Sequence, residues 1–167
     1  MKIPPPESKE TLNVLSLFSG CGGMDLGFEG GFIVHKNCIN PQDLDRFAEE
    51  FVNENHIKLK NNRFKTVFAN DILNEARVVW THNFSKRGRN IGIFHKESIV
   101  DLVKQYKLGV NVFPPDIDVV TGGFPCQDFS LAGKRNGFNS HKDHRGKIID
   151  TEIATEETRG RLYISMK

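Results

Sequence analysis

The chain has 167 residues, of which 38% are hydrophobic and 26% charged, and its formal net charge is +2. This length suits a single domain that buries a sizeable core, and no run of about 20 apolar residues predicts a membrane span. The charge neither requires nor excludes a polyanionic partner, because the basic residues gathered in the last third also fit an ordinary solvated surface.

The first part of the chain predicts a tail, a strand and two helices. Residues 1–11 are polar and proline-rich, as in a disordered tail on a cytoplasmic protein rather than a secretion signal. The apolar run 12–18 predicts a buried strand that enters a glycine-rich turn at 19–23, and a short helix follows over 24–29. A longer helix is predicted to begin at Asn40, since apolar residues then recur at helical spacing: Leu44, Phe47, Ala48, Phe51 and Val52. Residues 56–63 predict a loop.

Strands and helices alternate through the rest of the chain. Strands are predicted over 64–69, 91–94 and 117–121. Helices are predicted over 74–83, with Ala76, Val79 and Trp80 facing inward, and around 99–106. This alternation predicts an α/β fold in which helices cover both faces of a mostly parallel sheet. Such sheets bind ligands at the carboxyl ends of their strands.

The turn Phe18-Ser-Gly-Cys-Gly-Gly23 follows the first strand at that edge. Its glycines let the backbone approach a ligand closely, and the next helix offers free amide hydrogens. The same pattern occurs in nucleotide-binding folds and in folds that bind nothing, so the turn alone leaves both interpretations open. Asp25 stands where a dehydrogenase fingerprint requires glycine, so nicotinamide binding fits poorly.

Asp71 closes the second strand of the predicted sheet. An acidic residue at this position can accept hydrogen bonds from both ribose hydroxyls of an adenosine, or it can cap the helix that follows. Ile72 beside it can cover one face of an adenine or belong to the core. These residues alone do not decide between the alternatives.

The three cysteines are Cys21, Cys38 and Cys126. Their odd number and wide spacing argue against a disulfide framework and against a four-cysteine zinc site. His141 and His144 have a spacing seen in metal ligands, but their charged neighbours favour a solvated loop. We therefore predict no metal site.

Cys126 lies in the segment Gly122-Gly-Phe-Pro-Cys-Gln127, after the last predicted strand. A free cysteine, with a pKa of about 8.5, is only slightly ionised at neutral pH. A position in a loop beside a helix start would favour the thiolate, and Pro125 restricts the backbone before it. A lone cysteine is more often buried and inert, but the flanking sequence favours a nucleophile here.

Taken in order, these segments resemble the bacterial DNA (cytosine-5-)-methyltransferase family. The family's first motif is similar to Phe18–Gly23, its second to Asn70–Leu73, its fourth to Thr121–Gln127 and its fifth to Thr158–Leu162. The resemblance implies a Rossmann-like α/β fold that binds S-adenosyl-L-methionine, with residues 12–167 as the N-terminal part of the catalytic domain. It also implies methyl transfer to carbon 5 of cytosine in double-stranded DNA, within a restriction-modification system.

The resemblance assigns a role to each matching residue. The catalytic residues would be Pro125, Cys126 and Gln127, with the Cys126 thiolate adding to carbon 6 of a cytosine swung out of the duplex. The cofactor-binding residues would be Phe18, Ser19, Gly20, Cys21, Gly22, Gly23, Met24, Asp71, Ile72, Ser98, Ile99, Gly123 and Leu162. Among them, Asp71 would hold the ribose, Ile72 and Ile99 would sandwich the adenine, and Leu162 would close the pocket. The DNA-contacting residues would be Ser130, Lys134 and Arg135.

The sequence also departs from the family pattern. Residues 38–63 and 139–157 are insertions, and Ser98 stands where the family often has the Asp that reads the adenine amino group. The family's Glu-Asn-Val segment, its Arg-x-Arg motif and its target-recognition region do not occur before Lys167. We therefore expect a fragment, or one half of a split enzyme whose second chain supplies those motifs, and an isolated chain that is inactive. A non-catalytic binding homologue and a transfer RNA methyltransferase are the alternatives.

Overall fold

The computed structural model describes residues 10–124, 142, 143, 145, 147, 148 and 158–166. In chain order, the strands are β1 (Leu12–Leu17), β2 (Ile33–His35), β3 (Ala48–Phe51), β4 (His56–Leu59), β5 (Phe64–Asn70), β6 (Phe94–His95) and β7 (Val119–Gly122). The α-helices are α1 (Gly23–Glu29), α2 (Leu44–Phe47), α3 (Asn74–Ser85) and α4 (Ile99–Lys107). Short 3₁₀ helices cover Lys36–Cys38, Pro41–Asp43, Ile91–Ile93 and Arg159–Met166. Among these residues, no helix is both long and apolar enough to cross a membrane.

Strands β6, β5, β1 and β7 form a parallel sheet in that order. Leu17, at the end of β1, pairs with Asn70 of β5 on one side and with Gly122 of β7 on the other. The carboxyl ends of these three strands therefore lie at one edge of the sheet, where α/β folds bind their ligands. The predicted parallel sheet is confirmed.

Helices cover both faces of this sheet, as the alternation of elements predicted. Successive residues of a strand point to opposite faces, and Phe68 and Ala69 of β5 show the consequence. Phe68 joins a cluster with Leu17 and Ile99, the first residue of α4. Ala69 joins a second cluster with Trp80 of α3. The two apolar clusters exclude water from both sides of the sheet.

Helix α3 packs against the sheet through one narrow row of apolar side chains. Ala76, Trp80 and Phe84 follow one another at intervals of four residues and are buried. The prediction that Val79 faces inward is wrong, because its side chain is 45% exposed. At 3.6 residues per turn, Val79 lies about 100° around the helix from Trp80 and misses the buried stripe.

Strands β2, β4 and β3 form a separate antiparallel sheet, in which β3 and β4 lie within the first predicted insertion and β2 lies just before it. The predicted helix from Asn40 to Val52 and the predicted loop at 56–63 are therefore wrong. Asn40 does begin a helical turn, since its Oδ1 accepts a hydrogen bond from the Gln42 amide at 3.1 Å. Helix α2 nevertheless ends after a single turn, and β3 then pairs with β4, whose Ile57 is fully buried. Strand pairing and this burial prevail over the helical spacing of the sequence.

Two strands of the parallel sheet differ from the predicted bounds, and only Phe94 of the predicted strand 91–94 lies in a strand. The predicted strand 91–94 begins instead as a 3₁₀ turn, because the Asn90 side chain accepts the Gly92 amide at 2.9 Å. Sheet pairing starts at Phe94, opposite Ala69. The last strand, β7, begins two residues later than the predicted 117–121.

Candidate functional site

The glycine-rich turn and Asp71 meet at the carboxyl edge of the sheet. The Ser19 amide donates to the Asn70 carbonyl at 2.9 Å, and the Gly20 amide donates to Asp71 Oδ2 at 3.0 Å. The other carboxylate oxygen, Asp71 Oδ1, accepts the Leu73 amide at 2.9 Å. Asp71 thus joins the turn to the residue that precedes α3. The parallel pairing of β1 with β5 brings together these two motifs, which are distant in the sequence.

The conformation of the turn depends on Gly22. This residue precedes α1 with a φ of 88°, in the left-handed region that favours glycine. A Cβ placed on it would lie 2.7 Å from Trp80 Cδ1 and 2.7 Å from a ring carbon of Phe84. By contrast, a Cβ on Gly20 or Gly23 would meet no atom within 4 Å. The turn therefore rests on the indole at Gly22 and leaves open space beside its other glycines.

Asp25 holds a buried position beneath this turn. Its side chain is 0% exposed and accepts hydrogen bonds from Ser16 Oγ and, at 2.7 Å, from Trp80 Nε1. Burial raises the pKa of this carboxyl above its ordinary value, although both hydrogen bonds oppose the shift. In the sequence, Asp25 argues only against a dehydrogenase fingerprint. One sequence signal could have predicted its burial, namely that Asp25 lies in the first turn of α1, a helix that must pack against the sheet.

Asn70 is a second buried polar residue. In the sequence it is visible only as the first residue of the second motif, and its role as a hydrogen-bond donor is not. Its Nδ2 donates to the His95 carbonyl at 3.0 Å and to the Glu97 carbonyl at 2.8 Å. The side chain therefore ties the end of β5 to the segment between β6 and α4. Residues 96–98 of that segment line an open depression at this edge of the sheet.

This open depression of about 690 Å³ is lined by Ile72, the residue after Asp71, and by residues of α4. This volume falls within the range of small-molecule sites. Its lining residues come from the ends of β5 and β6, from α4 and from one later residue: Ile72, Lys96, Glu97, Ser98, Asp101, Lys104, Gln105 and Arg145. Arg145 Nη2 lies 2.7 Å from Asp101 Oδ2, so a salt bridge spans part of the lining.

The residues predicted to contact the adenine or to close the cofactor pocket divide between the depression and the apolar cluster beside it. Ile72 is 40% exposed and lines the depression with Ser98, so Ile72 does not belong to the core. Ile99 is 2% exposed and Leu162 is 4% exposed, and both belong to the apolar cluster that Phe18 packs against. The proposed contacts of these residues with a cofactor remain predictions. Cys21 and Met24 are exposed on the turn itself.

The predicted nucleophile segment begins at the same edge. Gly122 ends β7 beside Leu17, and Gly123 and Phe124 follow it. The remaining predicted residues of this region lie outside the described residues, namely Pro125, Cys126, Gln127, Ser130, Lys134, Arg135, His141 and His144. Their roles remain predictions. In the described part of the chain, no three His, Cys, Asp or Glu side chains are grouped to hold a metal ion.

The parallel sheet with helices on both faces, and the glycine-rich turn at its carboxyl edge, define a Rossmann-like α/β domain. A family model described as C-5 cytosine-specific DNA methylase matches residues 54–153. The chain therefore belongs to the C-5 cytosine-specific DNA methylase family, as the resemblance of its motifs predicted.

Individual relatives agree with this assignment. The type II methyltransferase M.BsuRI of Bacillus subtilis is 35% identical over 132 residues, which are 75% of this chain and 25% of that protein. The type II methyltransferase M.BspRI of Lysinibacillus sphaericus is 35% identical over 75% of this chain and 26% of its own length. The DNA-cytosine methyltransferase of Escherichia coli (strain K12) is 29% identical over 90% of this chain and 27% of its own length. The chain spans about a quarter of the length of these relatives.

Proposed function

We propose that the protein carrying this chain transfers a methyl group from S-adenosyl-L-methionine to carbon 5 of cytosine in double-stranded DNA. The observation that carries the proposal is the match of residues 54–153 to the C-5 cytosine-specific DNA methylase family. The hydrogen bond from the Gly20 amide to Asp71 Oδ2 supports the cofactor site, because it joins the glycine-rich turn to the acidic residue at the sheet edge. The type II names of two relatives further favour a place in a restriction-modification system.

The residues at the edge fit an adenosyl cofactor. A carboxylate has about four lone-pair positions, and Asp71 uses one on the Gly20 amide and one on the Leu73 amide. Acceptor positions therefore remain for ribose hydroxyls. Ile72 and Ser98 line the adjacent depression, which is large enough for an adenine. The open space beside Gly20 and Gly23 lets the backbone approach the methionine part.

The proposed chemistry assigns the nucleophilic role to Cys126. Its thiolate adds to carbon 6 of cytosine, which raises the electron density on carbon 5. S-adenosylmethionine, when bound, would supply its electrophilic methyl carbon to carbon 5, and the carbon–sulfur bond that breaks would leave S-adenosylhomocysteine. Loss of the proton from carbon 5 and elimination of the Cys126 thiolate from carbon 6 then restore the aromatic base and the free enzyme. The base must leave the duplex for this attack, and Ser130, Lys134 and Arg135 are the proposed contacts to its phosphates.

Covalent trapping tests this proposal. DNA containing 5-fluorocytosine cannot lose a proton from carbon 5, so incubation with S-adenosylmethionine should leave the protein attached to the base. With the complete protein that carries this chain, we expect an adduct for the wild type and none for Cys126→Ser. The matched control is Cys38→Ser, which removes an exposed thiol outside the motifs and should keep the adduct.

The absence of any adduct with the wild type would favour the non-catalytic binding homologue. An adduct that Cys126→Ser retains would refute the assigned nucleophile. Trapping with 5-fluorocytosine transfer RNA in place of DNA would favour the transfer RNA methyltransferase.

A further inference from the structure

A continuous series of buried hydrogen bonds lies under the glycine-rich turn. Beyond its contacts with Trp80 and Ser16, Asp25 reaches the turn through a second serine. Ser19 Oγ donates toward Ser16 Oγ and toward the Ser16 carbonyl, each at 3.0 Å, and accepts the Asn70 amide at 3.1 Å. The series therefore runs from the core of α3, through α1 and β1, into the turn and the end of β5.

The carboxylate sets the direction of these hydrogen bonds. An ionised Asp accepts and cannot donate, so the Ser16 hydroxyl must point its hydrogen at Asp25. The Ser16 oxygen is then available to Ser19, which opens the turn. Burying a carboxylate is costly unless its acceptors are used. An apolar residue at position 25 would avoid that cost but could hold neither Ser16 nor the Trp80 indole.

The Trp80 arm of the series supports the other end of the turn. Gly22 lies so close to the indole that a Cβ would be 2.7 Å from Trp80 Cδ1. Asp25 Oδ2 fixes the rotation of this ring through Nε1 at 2.7 Å. One carboxylate thus holds both supports of the turn, Ser19 through Ser16 and Gly22 through Trp80.

We infer that Asp25 and Ser16 are positioning residues that preorganise the glycine-rich turn for the methionine part of S-adenosylmethionine. This inference rests on the proposed cofactor site. Neither side chain is expected to touch the cofactor, because both are buried beneath the turn. Their contribution is to hold the turn in its binding conformation before the ligand arrives, which lowers the cost of ordering it on binding.

Ser16→Ala tests the inference, because it separates Asp25 from Ser19 while leaving the hydrogen bond between Asp25 and Trp80. The matched control is Thr66→Val, which removes a buried hydroxyl at the other end of the sheet that has no hydrogen-bond partner among the described residues. Calorimetric titration with S-adenosylhomocysteine should give a Kd about fivefold weaker for Ser16→Ala, the effect of one lost hydrogen bond. Thr66→Val should bind like the wild type. Melting temperatures measured in parallel report folding separately.

Two further measurements sharpen the test. Asp25→Asn keeps the shape but turns an NH₂ group toward Ser16 Oγ, which must then accept instead of donate, and the Ser16 hydrogen loses its acceptor. We therefore expect Asp25→Asn to bind more weakly than the wild type. Trp80 is the single tryptophan, and its fluorescence should change when S-adenosylhomocysteine binds the wild type. Failure of the wild type to bind would overturn the proposed function itself. Wild-type affinity in Ser16→Ala and Asp25→Asn, even with lowered melting temperatures, would overturn the positioning role alone.

Discussion

Substitution of Gly22 by alanine is expected to destabilise the protein far more than the same change at two neighbouring glycines. At Gly22, the left-handed φ of 88° costs a side chain about 1–2 kcal/mol. The new Cβ would also lie 2.7 Å from both Trp80 and Phe84, and forcing a methyl group into a packed core costs about 1–3 kcal/mol more. The expected loss in the free energy of unfolding is therefore about 2–5 kcal/mol.

The two controls isolate these contributions. Gly20→Ala carries the backbone strain alone, because its φ is 53° and its Cβ would meet nothing within 4 Å, so about 1–2 kcal/mol is expected. Gly23→Ala carries neither penalty and lies at the start of α1, so stability should stay within about 1 kcal/mol of wild type or rise. Urea unfolding measures all three variants. Equal stability of Gly22→Ala and Gly23→Ala would refute the packing of the turn on the indole.

Two further predictions concern the buried carboxyl groups of Glu29 and Asp25. Arg89→Met should cost about 3 kcal/mol of unfolding free energy, because it leaves the Glu29 carboxylate buried without its salt-bridge partner. The control Lys58→Met should cost much less, since its bridge to Glu49 is exposed. Similar losses for the two variants in urea unfolding would contradict this ranking. Burial raises the pKa of the Asp25 carboxyl above 3.8, so the folded protein holds the carboxyl proton more tightly than the unfolded chain does. The stability that this proton contributes is complete below pH 3.8 and is lost as the pH rises through the raised pKa of the folded state. Unfolding of wild type and Asp25→Asn across this pH range should therefore show the wild type losing stability relative to the variant, and a constant difference would argue against the raised pKa.

Local sequence patterns predicted the elements of the parallel sheet well. An apolar run that ends in several glycines, such as residues 12–23, is typical of a buried strand that enters a turn. The structure confirms the strand and the turn. The motifs around Phe18, Asp71 and Cys126, taken in order, likewise predicted the family, which the match over residues 54–153 confirms. The contact between the first two motifs through Gly20 followed from one rule, that parallel strands bring their carboxyl ends to one edge.

The sequence by itself thus determined the α/β class, the family and the edge at which the site lies, because these depend on residue types close together in the chain. Only the tertiary structure decided that residues 48–51 form a strand, since Phe51 pairs with Ile57 across a turn that no helical spacing reveals. It alone placed Asp25 beneath the turn, because its partners Ser16 and Trp80 come from β1 and α3. Contacts between distant segments follow from how whole elements pack, and no local pattern encodes them.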